Sequence, residues 1–154
     1  MIRYDNETTG WPVKVALAIF VFFGASQSYA ACSQSDLTGT WYFNGVTGDT
    51  FLGEFWETDY CKVKINSAGK IVKSVSQCKF RDFAGKGNFD ITGGSLLIGS
   101  SCLISGRIKY GFDEFSTYFY VDSARLDKGK TVITMVGRVS IDPDVVSFLT
   151  GVKR

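Results

Sequence analysis

Leu37-Thr38-Gly39-Thr40-Trp41-Tyr42-Phe43 is the stretch whose reading decides the fold. It is a run of aromatic and β-branched residues entered through a glycine, the composition of a strand. Period-two alternation puts Trp41 and Phe43 on one face and Thr40 and Tyr42 on the other. Two aromatic rings side by side on one strand face need a sheet to cover them. Nearly every segment downstream has the composition of a further strand.

Upstream, residues 1–30 read as a segment outside the fold. The run Val15-Ala16-Leu17-Ala18-Ile19-Phe20-Val21-Phe22-Phe23 is unbroken and apolar, and Ser28-Tyr29-Ala30 has the small-x-small pattern of a signal-peptidase site. The apolar run is about half the ~20 residues that a membrane-spanning helix needs. A signal peptide over 1–30, cleaved before Ala31, is expected, with a secreted or periplasmic domain at 31–154 and no integral membrane segment in it. Tyr29-Ala30-Ala31-Cys32 has the small residues and cysteine of a lipobox, with tyrosine where that motif has leucine. Lipidation of Cys32 would leave Cys61, Cys78 and Cys102 as an odd set in an oxidising compartment, which weighs against it.

Downstream, Cys61-Lys62-Val63-Lys64-Ile65 alternates strictly, and Asn66-Ser67-Ala68-Gly69 supplies turn chemistry. Ile71 to Phe80 reads as the returning strand of a hairpin. Phe89-Asp90-Ile91 leads to a turn at Gly93-Gly94, and Ser95-Leu96-Leu97-Ile98 follows. Cys102 to Tyr110 alternates again. Tyr118-Phe119-Tyr120-Val121 is apolar on both faces, and a last strand runs from Ser147 to Arg154 after a break at Pro143. Short strands at this spacing without crossover helices argue for a single antiparallel barrel of about eight strands.

Four cysteines allow three pairings. Cys61 and Cys78 would join the ends of one hairpin, which leaves Cys32 and Cys102 to tie down the N-terminal end. That pairing is expected.

Gly39-Thr40-Trp41 near the expected N-terminus resembles the first-strand signature of the calycin barrels, the lipocalins and avidins. The resemblance implies a tryptophan packed across the closed end, covered by an arginine near the last strand, Arg154 or Arg138 here. It also implies a ligand site inside the barrel. In avidins an asparagine two residues after the tryptophan contacts biotin. Phe43 stands there instead, and Asn44 falls on the opposite face, so biotin is not expected. Small periplasmic protease inhibitors with a Gly-x-Trp first strand and a nearby disulfide are similar too.

The chain has no histidine, which removes histidine triads, histidine metal sites and the usual neutral-pH base. The cysteine spacing is not that of zinc or redox motifs. Glu54, Glu57, Asp113 and Glu114 are the carboxylates a sugar-cleaving pair would draw on, but no spacing singles them out. No enzyme activity, cofactor or metal is expected. A net charge of +2 is too small to point to nucleic acid. Three basic-apolar-basic triplets, Lys62-Val63-Lys64, Lys79-Phe80-Arg81 and Arg107-Ile108-Lys109, would gather cations on one outer face if their strands were neighbours. The expected function is binding of a small, largely apolar ligand lined by Trp41, Phe43, Tyr118 and Tyr120. The alternative is an inhibitor or interaction protein whose partner is a secreted protease or lysozyme. An interior cavity favours the first and a filled barrel the second.

Overall fold

The alternation entered at Gly39 continues for 11 residues as β1 (Gly39–Asp49) in the computed structural model, which describes residues 31–50, 52–112 and 115–154. The signal-peptide and lipobox residues before Ala31, and Asp113 and Glu114, lie outside the described residues. Seven more strands follow: β2 (Glu54–Ile65), β3 (Gln77–Arg81), β4 (Lys86–Ile98), β5 (Ile104–Phe112), β6 (Phe115–Leu126), β7 (Val132–Val139) and β8 (Asp142–Lys153). Each is antiparallel to the next, and β8 returns to β1, so the sheet closes into the expected eight-stranded barrel. Closure leaves no open edge to recruit another chain. No helix among the described residues is long and apolar enough to cross a membrane.

Three local readings change. The strand expected over Ile71 to Phe80 is confined to Gln77–Arg81, because the chain first makes a 3-10 turn at Lys73–Val75. Ser76 supports that detour. Its hydroxyl donates to the Val72 carbonyl at 2.8 Å and accepts the Lys64 amide at 2.9 Å, replacing a strand partner with a side chain. Gly93-Gly94 is not a turn but lies inside β4, where the register with β5 shifts between Ile91 and Gly93. Gly94 takes φ +116° there, a conformation open to glycine and suited to bending a barrel wall. β8 begins at Asp142 rather than Ser147. Pro143 is its second residue and takes no place in the register with either neighbour, so its missing amide is harmless.

Inward residues fill the lower half of the barrel. Leu37, Trp41, Val63, Ile65, Leu96, Leu126 and Ile133 are all buried to within 2%. One helical turn, α1 (Gln34–Leu37), closes this end as a plug. Gln34 is hydrogen-bonded into the β4 backbone through both side-chain atoms, to the Leu96 carbonyl and the Ile98 amide. The indole Nε1 of Trp41 donates to the Leu37 carbonyl at 2.8 Å. The cation over its ring is Lys153, with Nζ 5.6 Å from the centroid and donating to the Asp36 carbonyl at 2.9 Å. Neither arginine proposed for that role holds it. Arg154 lies over Tyr42, and Arg138 pairs with Asp122 outside the barrel. The reason is register. Trp41 stands opposite Lys153 itself, one residue before the arginine, so Lys153 shares its inward face and Arg154 does not.

Both expected disulfides form. Cys61 and Cys78 are direct cross-strand partners, and Cys32 joins Cys102, which fastens the plug to the turn before β5.

Candidate functional site

Above Phe43 the interior is no longer filled. A cavity of about 440 Å³ runs from Phe43, Val63 and Ile91 up to the open end, where Trp56, Val145 and Ile141 stand around its mouth. Glycines opposite aromatic rings help to shape it. Gly151 stands opposite Phe43 in the register, and a Cβ there would run into the Phe43 ring. The glycine leaves the room against β8 that the ring occupies. Phe89 and Tyr110, whose ring centroids are 4.9 Å apart, form part of another wall.

Polar groups collect on one side of this apolar space. Glu57 and Asp59 occupy alternate inward positions on β2, continuing the inward row of Cys61, Val63 and Ile65. Asp59 is only 8% exposed. Thr47 on β1 donates to its Oδ2 at 2.6 Å, so the Ser147 hydroxyl on β8, 2.7 Å from Thr47, must donate to Thr47. Ser147, Thr47 and Asp59 thus form a relay across three strands.

Burial raises both carboxyls above their ordinary range. Glu57 is pushed up to about 8 by burial first, then by the charge of Asp59 and by their mutual hydrogen bond, with Asp82 adding a smaller push. Asp59 is raised by burial, against the opposing bonds from Thr47 and Glu57. A hydrogen bond between two carboxyls requires a proton, so near neutral pH the pair retains one. Burial, with these two acids nearby, also raises the Tyr110 phenol. Both carboxyls project from one strand, so they approach a ligand from the same side.

A stability test follows from the sign of the Glu57 shift. A group with a raised folded-state pKa stabilises fully below its unfolded value, ordinarily 4.5, and that contribution is lost as pH rises through about 8. The melting temperature should therefore fall over that window. Glu57→Gln keeps the shape without the ionisation, so its alkaline limb should be flatter and higher. Parallel wild-type and variant pH curves would contradict the assignment. Asp36 works the other way. Its hydrogen bond from Lys130 comes first among the causes that lower it, so its contribution is lost only on acidification below about 3.8.

The chain matches no family model, and no curated protein or solved structure matches it.

Of the four residues expected to line a ligand site, the structure brings one to the cavity. Phe43 forms its floor, and Trp41 is stacked beneath Phe43 with ring centroids 6.4 Å apart, packed into the plug and away from the space. Tyr118 and Tyr120 do share a face, but it is the outer one, with ring centroids 5.9 Å apart and Arg107 4.7 Å over Tyr118. Their neighbours Thr117 and Phe119 point inward and line the cavity. With apolar residues on both faces, alternation fixes the two faces of β6 but not which of them is inside. The basic triplets do not gather into one face. β4 separates β3 from β5, and Arg107 and Lys109 lie over the Tyr118 ring. Asp59 escaped the sequence reading although its alternation with Glu57, Cys61 and Val63 was there to find it.

Proposed function

We propose that this chain is a secreted binding protein that holds a small, largely apolar molecule inside its barrel. The observation carrying this reading is the cavity of about 440 Å³, within the range of small-molecule sites, in a barrel whose other end is packed solid. Its walls are mainly aliphatic and aromatic, with a few convergent polar groups on one side. Two disulfides suit an oxidising compartment and support export to the periplasm or beyond. The calycin-like Gly39-Thr40-Trp41 run is in keeping with a ligand-holding barrel.

The test is extraction of the purified protein for retained small molecules, followed by titration with a neutral hydrophobic dye. Saturable uptake with a change in Trp56 fluorescence is expected. A Tyr118→Ala/Tyr120→Ala variant should bind as the wild type does, because both rings lie outside. If nothing is retained and no dye enters, the reading fails.

A second reading has one observation in its favour. Leu52, Phe83 and Ile141, at the turns of the open end, are 63%, 92% and 79% exposed. Protruding apolar turns of this kind suit an inhibitor that docks a secreted enzyme.

A further inference from the structure

We propose that the molecule taken into the cavity is a cationic amphiphile, an apolar body with a single protonated amine that lies against Glu57 and Asp59. This rests on the cavity being a binding site and specifies its ligand.

The first support is the composition of the cavity wall. Its ionisable lining groups are Glu57, Asp59, Asp142 and the phenol of Tyr110. Among the described residues, no lysine or arginine makes a salt bridge with Glu57 or Asp59. A buried carboxyl pair without a cation either holds a proton or accepts a cation from outside. An ammonium group, with three donors and a positive charge, meets both requirements of such a pair.

The second support is the distribution of charge along the barrel. The turns that surround the mouth carry Asp49, Glu54, Asp82, Asp142 and Asp144 against Arg81 and Lys86. The plugged end instead carries Lys70, Lys73, Lys128, Lys130, Lys153 and Arg154 against Asp36 and Asp127. Several of the mouth acids also fix their own turns. Asp82 accepts the Ala84 and Gly85 amides, and Asp142 accepts that of Asp144. Asp142 still lines the cavity and the charge of Asp82 reaches Glu57, and a low-dielectric barrel focuses such a field on the entrance. An anionic head such as a fatty carboxylate would be repelled from entrance and wall alike.

Binding then exchanges one positive charge for another. The incoming ammonium replaces the proton held by the carboxyl pair, and that proton leaves to solvent. The groups facing Glu57 are Asp59 on its own strand, Asp82 in the β3–β4 turn, Tyr110 on β5 and Asp142 on β8. None of them supplies positive charge.

Three probes of equal chain length separate this from the broader reading. Decylammonium, decanol and decanoate are titrated by calorimetry into the intact disulfide-bonded protein. Decylammonium should bind about tenfold or more tightly than decanol near pH 8, with decanoate the weakest. Near pH 7, decylammonium should release close to one proton, read from paired buffers of different ionisation enthalpy, and decanol none. Glu57→Gln and Asp59→Asn, made singly in case one fails to fold, should each reduce the preference for the amine. Equal binding of decylammonium and decanol without proton release would overturn the inference and leave the binding site standing. Binding of none of the three would overturn both.

Discussion

Replacing Trp41 with alanine should cost about 3–5 kcal/mol of folding stability, as truncation of a deeply buried aromatic does. Trp41 is fully enclosed, and three parts of the closed end meet at its indole. Its Nε1 holds the end of α1, its ring lies beneath the Lys153 ammonium, and Phe43 stacks on it from above. Alanine removes the ring, leaves the Leu37 carbonyl without its donor and takes away the surface on which the lysine stem is packed. Denaturant unfolding with unchanged slope and a lower midpoint is the expected record. A Lys153→Ala change should act in the same direction but less, because the ring stays. A Trp41→Ala protein that unfolds at the wild-type midpoint would show that the plug does not depend on the indole.

Removing the Cys32–Cys102 bridge, by Cys32→Ser with Cys102→Ser, is the second large expected loss. The two cysteines are 70 residues apart, against 17 for Cys61 and Cys78. Chain-entropy arguments give about 4 kcal/mol for the longer loop and about 3 kcal/mol for the shorter. The longer bridge also seats the plug, together with the bond from the Cys32 amide to the Ser100 carbonyl. Its loss should therefore couple to Trp41. The combined Trp41→Ala and Cys32→Ser/Cys102→Ser protein should lose less than the sum of the two separate losses, since both release the same element. Midpoints for the two bridge-deleted proteins and the combined variant decide it. The reverse order, with Cys61–Cys78 the costlier bridge, would contradict the role given to the plug.

The architecture was legible because it rests on alternation, and the bridges because one hairpin connects two of the cysteines. In Cys61-Lys62-Val63-Lys64-Ile65 one face is charged and the other apolar, so inside and outside are assigned without a structure, while the choice of Cys78 among three pairings rests on the hairpin that brings the two cysteines together. Where both faces are apolar the same logic gives two answers. On β6 the inward residues are Thr117 and Phe119, not Tyr118 and Tyr120. Between Lys153 and Arg154 the choice turns on one step of register, which depends on how β8 closes onto β1. Asp59 was missed for a different reason. An acid next to Cys61 and Val63 on the inward face looks like a break in an apolar pattern until the cavity beside it is seen. The void itself arises from facing strands, with the Phe43 ring packed against Gly151, and no single stretch of sequence records such a contact.

The cavity is the central claim, and narrowing it is the most direct measurement. Ile108 lines it from β5 and is 7% exposed. Ile108→Trp places a large ring in open space rather than in a packed core and narrows the cavity, so the fold should be kept. The decisive quantities are the stoichiometry and affinity of neutral hydrophobic dye for the wild type and for this variant under the same conditions. One dye per barrel in the wild type, with affinity lowered about tenfold or more in a folded Ile108→Trp protein, is the predicted result. Equal dye binding by the two, or none by either, would contradict an interior binding site.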